Sequence, residues 1–301
     1  MKTDFPNTPQ TLRNYKLRKH NTTTNMFIED IHLGIMPING ESKNFAKFNA
    51  EFIGDDSNEA INLCKSLKQY DSYNSTEDLI SQVVESIAHS MSENGTALYE
   101  ILYDKENKKI IMNSISSNNI YDVLLCFIQY KPKDKIDKAQ LKLLRKKNIW
   151  KIEMPLVLGK SSGYKKIISN LDKFDSSGPK FYLDELYSSQ LNHRFDYKEY
   201  RLKTHIFTTK STLNWSWDQR DLDRENKTEF YTFYQDLKFY WAKTVLREHI
   251  VKELNCLFKK LDIKSEINIT GIPTSKEILN FKNEFRRGEK NYDDFLKFLL
   301  Y

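Results

Sequence analysis

The run of residues 226–261, which contains neither glycine nor proline, constrains the fold more than any other feature of the sequence. Its apolar residues recur every three to five positions, which is typical of a helix with one buried stripe. Asn226 and Glu229 have the spacing of an N-terminal capping pair. At a rise of 1.5 Å per residue the helix would be roughly 50 Å long. Because this exceeds an ordinary globular helix, we expect it to span the molecule or to form an interface.

A helix followed by a β-hairpin is predicted in the first half of the chain. Ser75 can cap a helix that ends near residue 94 and carries one apolar stripe. Gly95, directly after this stripe, predicts a left-handed helix end. Alternating apolar residues on both sides of a polar turn then predict a hairpin over 97–115. A further strand is expected at 121–130.

Elsewhere the pattern is less regular and indicates a mixture of elements. Short apolar pieces broken by glycine and proline predict strands and turns over 26–56. The remaining predicted elements are the strands 150–158, 203–209 and 267–270 and the helices 164–175, 274–287 and 291–300.

Together these patterns predict an α+β protein in four parts. A flexible, polar N-terminal arm covers 1–25, and a domain built from helices and a β-hairpin or sheet covers 26–160. The middle part, 161–225, is irregular. The last part, 226–301, holds the long helix and two short C-terminal helices.

Composition excludes several classes of protein. Aromatic residues make up 13% of the 301, and because each buries about 150–250 Å², the chain can build a core. No apolar stretch is long enough for a membrane-spanning helix, and the N-terminus lacks the apolar region of a secretory signal. The three cysteines are far apart and form no CxxC pair. That pattern fits a reduced, intracellular compartment better than a disulfide framework.

Positive charge is concentrated in residues 131–151. This window holds nine Lys and Arg against two Asp, a net charge of +7, so the rest of a chain with net charge +6 sums to −1. Such a cluster can bind nucleic-acid phosphates, although a solvated face has the same composition. The candidate DNA-contacting residues are Lys142, Arg145, Lys146 and Lys147 in this window and Arg220 and Arg224 further along.

Two tryptophans, Trp215 and Trp217, alternate in the sequence, and alternate residues of a strand face the same side. Next to Arg220 and Arg224 they can stack on nucleic-acid bases. Large aromatic side chains more often fill a core or a contact between subunits. The candidate subunit-contact residues are Trp215, Trp217, Tyr234 and Trp241.

Motifs for enzymatic chemistry are weak, and the sequence predicts no metal site and no cofactor. Residues 158–163 match only half of a phosphate-binding loop. Glu106-Asn-Lys108 has the spacing with which a nuclease holds a metal beside a lysine that activates water, and it falls in the predicted hairpin turn. A metal-dependent nuclease, or another nucleic-acid-acting enzyme of a mobile element or defence system, is the alternative function that this spacing allows. A monomeric nucleic-acid-binding or adaptor module is a further one.

The run 75–103 resembles the core of tailed-phage portal proteins. In that family a helix ends at a glycine and leads into a strand of the form Gly-Asn-Ala-Tyr-x-x-Ile and then into a hairpin. The residues that match this pattern, with a changed spacing, are Gly95, Ala97, Tyr99, Glu100 and Ile101.

The C-terminal third also resembles portal proteins. Leu254-Asn-Cys-Leu-Phe258 is similar to a stretch of their late, long wing helix. The strand at 267–270 and Phe285-Arg-Arg-Gly288 are similar to the strand and the helix–glycine–helix ending that follow it. In all, the resemblance covers about half of the chain.

The resemblance implies a structural subunit rather than an enzyme. Portal proteins form rings, typically of about twelve copies, and DNA passes through the ring. The implied partners are further copies of the chain, double-stranded DNA bound through its phosphates, and capsid, terminase or tail-connector proteins. The implied location is the virion, or the host cytoplasm during assembly. Residues 26–160 would be a wing-like domain, and 161–225 a reduced stem and clip.

Overall fold

The computed structural model describes residues 4–12, 19–37, 48–68, 72–115, 120–131, 138–177, 197–212, 214–217 and 228–299, and within them it is an α+β fold, as predicted. The helices are α1 (Thr22–His32), α2 (Ser57–Lys65), α3 (Thr76–Asn94), α4 (Lys160–Ser177), α5 (Tyr197–Ser211), α6 (Glu229–Lys260), α7 (Ser275–Arg286) and α8 (Tyr292–Leu299). The strands are β1 (Asn49–Ile53), β2 (Thr96–Asp104), β3 (Lys109–Ile115), β4 (Ile120–Asp122), β5 (Cys126–Lys131), β6 (Gln140–Arg145), β7 (Ile149–Glu153) and β8 (Glu266–Thr270).

Helix α3 begins and ends as its sequence predicts. The Ser75 hydroxyl accepts a hydrogen bond from the Asp78 N–H at 3.2 Å, which satisfies one of the free donors of the first turn. Gly95 ends the helix with a left-handed φ of 72°. Between these ends the apolar stripe is buried, so the predicted helix is confirmed.

The long helix is also confirmed, as α6, although its cap differs from the prediction. Thr228, two residues after Asn226, accepts a hydrogen bond from the Tyr231 N–H at 3.3 Å. Asn226 itself lies outside the described residues. Helix α6 has 32 residues and contacts α3, α7, β7 and β8. It therefore connects the sheets with the C-terminal helices.

The described strands form small antiparallel sheets with the orders β3–β2–β7, β4–β5–β6 and β1–β8. The predicted hairpin is β2 with β3, in register from Leu98 opposite Ile115 to Asp104 opposite Lys109. The strand predicted at 121–130 is divided into β4 and β5 by a tight turn. Pairing of β1 with β8 joins parts of the chain that are far apart in sequence.

Two apolar clusters join the sheets and the helices packed on them, and a third, of Leu237, Ile278, Phe281 and Phe285, joins α6 to α7. The larger one packs α1, α3, α4 and α6 against β2. The smaller one lies between the β3–β2–β7 sheet and the β4–β5–β6 sheet, and its members are Leu98, Ile115, Phe127, Leu144 and Ile149.

Two predicted strand regions are wrong in part. The region 26–56 begins inside α1, whose Phe27, Ile28 and Ile31 are buried, and only β1 is a strand there. The strand predicted at 150–158 ends at Glu153, because Pro155 cannot donate to a ladder. Leu156–Leu158 form a short 3₁₀ helix instead.

The strand predicted at 203–209 is part of α5. Threonine and isoleucine favour strands, but here threonine hydroxyls bond back to the helix. Thr208 donates to the Thr204 carbonyl at 3.1 Å, and Thr212 donates to the Thr208 carbonyl at 2.9 Å. Such bonds satisfy the hydroxyls without leaving the helix. With α4, which contains the helix predicted at 164–175, α5 makes the middle part more helical than predicted.

The N-terminal arm, predicted to be flexible over 1–25, is attached to the sheets in the part that the structure describes. The buried Glu100 carboxylate on β2 accepts hydrogen bonds from the Gln10 N–H at 2.8 Å and from the Thr11 N–H and hydroxyl at 3.3 and 3.0 Å. A buried carboxylate needs such donors. Glu100 therefore holds residues 10–11 across the sheet.

Gln129 on β5 holds the next residue in the same manner. Its side-chain oxygen accepts from the Leu12 N–H at 2.7 Å, and its nitrogen donates to the Leu12 carbonyl at 3.1 Å. The side-chain amide thus pairs with a peptide group as a strand would. Because β2 and β5 belong to different sheets, the segment 10–12 connects the two.

We expect Gly95→Ala to lower the free energy of unfolding by about 1–3 kcal/mol, since a residue with a side chain resists the left-handed conformation. The added Cβ would also lie 3.1 Å from the Ser161 carbonyl oxygen. Gly163→Ala is the matched control, because its Cβ would meet nothing within 4 Å. It should raise stability by about 0.5–1 kcal/mol. Urea unfolding followed by circular dichroism measures both, and equal stabilities would contradict the prediction.

Candidate self-association surface

The β4–β5–β6 sheet is apolar on both faces. On its inner face Phe127 and Leu144 are buried against Leu98, Ile115 and Ile149 of the neighbouring sheet. Successive side chains of a strand point to opposite faces, and an antiparallel sheet usually pairs one buried face with a solvated, polar one. Here the second face is not polar.

The register of the strands aligns the side chains of the second face. Tyr121 on β4 lies opposite Ile128 on β5, which lies opposite Leu143 on β6. Tyr130 on β5 and Leu141 on β6 form the next row. Tyr121, Tyr130, Leu141 and Leu143 keep between 41% and 64% of their surface exposed.

The turn between β4 and β5 adds further apolar side chains at one end of the strands. It is closed by a hydrogen bond from the Val123 N–H to the Cys126 carbonyl at 2.9 Å. Leu124 and Leu125 are 86% and 83% exposed. We call this whole set, the strand residues together with 123–125, the outer face.

The outer face is large for a single chain in water. At these exposed fractions each large side chain presents on the order of 100 Å², so the set offers several hundred Å². The largest apolar patch of a typical monomer is about 300–600 Å², and each partner contributes roughly 800 Å² to a standard protein interface. The outer face therefore has the size and composition of an interaction surface.

The four basic residues of the window 131–151 that are predicted to bind DNA lie around this sheet but do not form one surface. Lys142 lies on the inner side of β6, opposite Gln129. Arg145 ends the outer face, opposite Cys126. Lys147 is exposed in the short 3₁₀ turn that follows β6. The single patch predicted from the charge window is thus divided among different sides of the sheet.

Lys146 is engaged in an ion pair rather than free at the surface. Its ammonium lies 2.6 Å from the Asp122 carboxylate, and that of Lys151 lies 2.8 Å from the same group. The hydrogen bonds from Lys146 and then Lys151 lower the pKa of Asp122 below its ordinary value. Since these groups are partly exposed, the pair adds little stability. Arg220 and Arg224 lie outside the described residues.

Trp215 and Trp217 are core residues, so the prediction that they form a subunit contact is wrong. Both side chains are fully buried within this chain. They lie on either side of Ser216, whose φ of 55° places it in a turn and not in a strand. Phe27 packs against both rings, at centroid distances of 5.9 and 5.1 Å. The indole N–H of Trp217 donates to Asp30 at 2.9 Å.

The two aromatic residues predicted on the long helix are half-buried. Tyr234 stacks on Phe230, with 6.1 Å between the ring centroids. Trp241 packs between the main core and the cluster around α7. The ammonium of Lys282 lies 5.6 Å from the centre of the Trp241 ring. Their role in a subunit contact stays a prediction.

The nuclease-type triplet lies in the turn between β2 and β3. Glu106 and Lys108 are both exposed there, and the turn is held by Asp104, which accepts hydrogen bonds from the Glu106 and Asn107 N–H groups. In the part of the chain that the structure describes, no group of three or more His, Cys, Asp and Glu is arranged to hold a metal ion. Among the same residues no helix is long and apolar enough to cross a membrane.

A second charged group of residues, which sequence reasoning missed, lies where α1, α3 and α6 meet. The Lys243 ammonium donates to the Leu33 carbonyl at 2.6 Å, at the end of α1. Burial lowers the pKa of Lys243 to about 8, an effect that Asp30 and Glu85 oppose. Burial also raises the pKa of Glu85. The ammonium thus acts as a partner for main-chain oxygen.

Arg247, one turn further along α6, has the same role. Its buried guanidinium donates to the Pro273 carbonyl at 2.7 Å and to the Ile35 carbonyl at 3.4 Å. A buried charge is tolerated only where hydrogen bonds replace its hydration, and here main-chain carbonyls supply them. We therefore interpret Lys243 and Arg247 as structural anchors.

Comparison of the chain with models of known protein families and with curated protein sequences gives no match. The outer face was not predicted either, although a signal for it exists. Strands β5 and β6 carry apolar residues at both even and odd positions, as in Cys126-Phe-Ile-Gln-Tyr130. Such strands are apolar on both faces and need cover on both.

We expect the stability of the wild type to rise with pH relative to that of Lys243→Met. The folded-state pKa of about 8 is below the ordinary value of about 10.4. Between these values the unfolded chain binds a proton that the folded chain has released, so increasing pH favours the folded state. Urea unfolding of both proteins between about pH 7 and 9.5 measures the difference. A difference independent of pH would contradict the low pKa.

Proposed function

We propose that this protein is a structural subunit that assembles with identical copies into a ring of the portal type. The observation that carries the proposal is the outer face, because a sheet that is apolar on both faces needs a second layer. A further copy of the chain is the layer that self-assembly supplies. The resemblance to portal proteins gives the ring as the form of the assembly.

The segments that resemble portal proteins fold in a manner that supports this proposal. The run 75–103 forms α3, the Gly95 helix end and β2. The C-terminal segments form the end of α6, β8 and α7. Helix α6, roughly 48 Å long, supplies a rigid element suited to the wall of a ring.

In this proposal DNA passes through the ring and is contacted through its phosphates. Contacts of this kind are independent of sequence, so they allow DNA to slide. Of the four residues of the charge window that are predicted to contact DNA, Lys142 and Lys147 are neither paired with Asp122 nor part of the outer face. The partners implied by the resemblance, capsid, terminase and tail-connector proteins, complete the proposal, and the virion is the location.

Disruption of the outer face tests the assembly. The double variant Leu141→Lys, Leu143→Lys places two charges on the outer face and should convert the assembly to monomers, since a buried, unpaired charge costs several kcal/mol. Leu202→Lys on α5 is the matched control, because Leu202 is 59% exposed and Leu141 is 64% exposed. Native mass by analytical ultracentrifugation, with negative-stain images of the same samples, gives the result. A wild type that remains monomeric at high concentration would overturn the proposal.

The salt dependence of DNA binding tests the second part. Lys142→Gln with Lys147→Gln should weaken binding of duplex DNA and reduce the slope of log affinity against log salt, since each lost phosphate contact removes about 0.9 from the slope. Lys290→Gln, an exposed lysine after α7, is the control. Unchanged affinity and slope in the double variant would show that these lysines do not contact DNA.

A further inference from the structure

We infer that the outer face of one copy packs against a second apolar surface, at the N-terminal end of α6, on the next copy. This inference rests on the proposed function and names the pairing of surfaces within it. The second surface, which we call the aromatic end, has as its exposed members Phe230, Tyr231 and Tyr292.

Ring stacking makes the aromatic end a rigid surface. Phe230 stacks on Phe285 with 5.0 Å between centroids and 5° between planes. Phe233 stacks on Tyr292 at 4.0 Å. The stacks connect α6 with α7 and α8, yet the exposed members keep 39% to 50% of their surface in solvent. Rigid aromatic side chains that are already ordered lose little entropy on binding, which favours them at interfaces.

Each of the two surfaces carries exposed charges that can pair with opposite charges on the other. Arg145 ends the outer face, and Lys138 is exposed just before β6. At the aromatic end Glu229 is exposed in the first turn of α6, and Asp293 is exposed in the first turn of α8. Opposite charges around apolar centres set the register of an interface and exclude wrong pairings.

Cations are also present at the aromatic end. Arg287 is paired with Glu289 at 2.8 Å, and Lys290 is exposed beside them. Glu229 differs from these residues because its neighbours in the first turn of α6 are uncharged, so its charge is available to a partner surface.

The positions of the two surfaces determine the type of contact. The middle of α6 is joined to β7 by a hydrogen bond between His249 and the Glu153 carbonyl at 2.9 Å. Phe230 lies roughly 28 Å before His249 along the helix. The outer face and the aromatic end are thus different parts of the surface, so a contact between them is head-to-tail. Repetition of a head-to-tail contact gives a closed ring or an open filament.

A charge exchange between the two surfaces tests the pairing. Arg145→Glu and Glu229→Arg should each raise the concentration at which the assembly dissociates by about tenfold or more, since like charges then face each other across the interface. The double variant should restore assembly, because it recreates an opposite pair. Analytical ultracentrifugation over a range of concentrations measures all three, and circular dichroism checks that each variant is folded.

The matched control is the pair Lys105→Glu and Glu266→Arg, which exchanges exposed charges outside both surfaces and should leave assembly unchanged. If Leu141→Lys, Leu143→Lys abolishes assembly but Glu229→Arg has no effect, the pairing is wrong while the proposed function stands. Single variants that weaken assembly without rescue in the double variant also overturn the pairing. A monomeric wild type overturns the proposed function and this inference with it.

Discussion

The fold depends on two cations of α6 that bind main-chain oxygens of distant segments. Lys243 holds the carbonyl that ends α1, and Arg247 holds the carbonyl before α7 together with that of Ile35. Removing a cation from water is costly unless hydrogen bonds replace the lost hydration. Here main-chain carbonyls supply these hydrogen bonds, and the bonds fix the positions of the two segments on the long helix. These anchors fix the end of α1 and the start of α7 on α6, while the apolar core packs α3 against the same helix.

The two faces of the β4–β5–β6 sheet differ in what covers them. The inner face of β4–β5–β6 is satisfied within the chain by the small cluster around Phe127. The outer face has no such partner among the described residues, although it is built by the same strands. In a monomer this face adds nothing to folding stability, since its apolar area stays in water. Its energy is available only to an interface, which is the basis of the proposed ring subunit.

Local signals account for the parts of the fold that the sequence predicted. The Ser75 cap, the Gly95 helix end, the hairpin and the unbroken run of α6 are each encoded by neighbouring residues. The errors arise where distant residues decide. The N-terminal arm is ordered by Glu100, about ninety positions away, and Trp215 and Trp217 enter the core because α1 supplies Phe27 beside them. For the candidate site, the concentration of positive charge identified the window 131–151, which includes β6. It did not show that Lys142 and Arg145 lie on opposite faces of that strand, because this depends on how the strands pair.

The way in which the N-terminal arm is held has a consequence for how sequences of this kind can diverge. Glu100 and Gln129 recognise peptide groups, so the side chains of Gln10 and Leu12 contribute nothing to those bonds. Natural selection acts on an interaction through the atoms that make it. Substitutions at positions 10 and 12 should therefore have little effect on these bonds, while the acid on the central strand, the amide on the neighbouring sheet and Thr11, whose hydroxyl donates to that acid, persist. Relatives of this protein would share that pair of residues even where their N-terminal sequences no longer align.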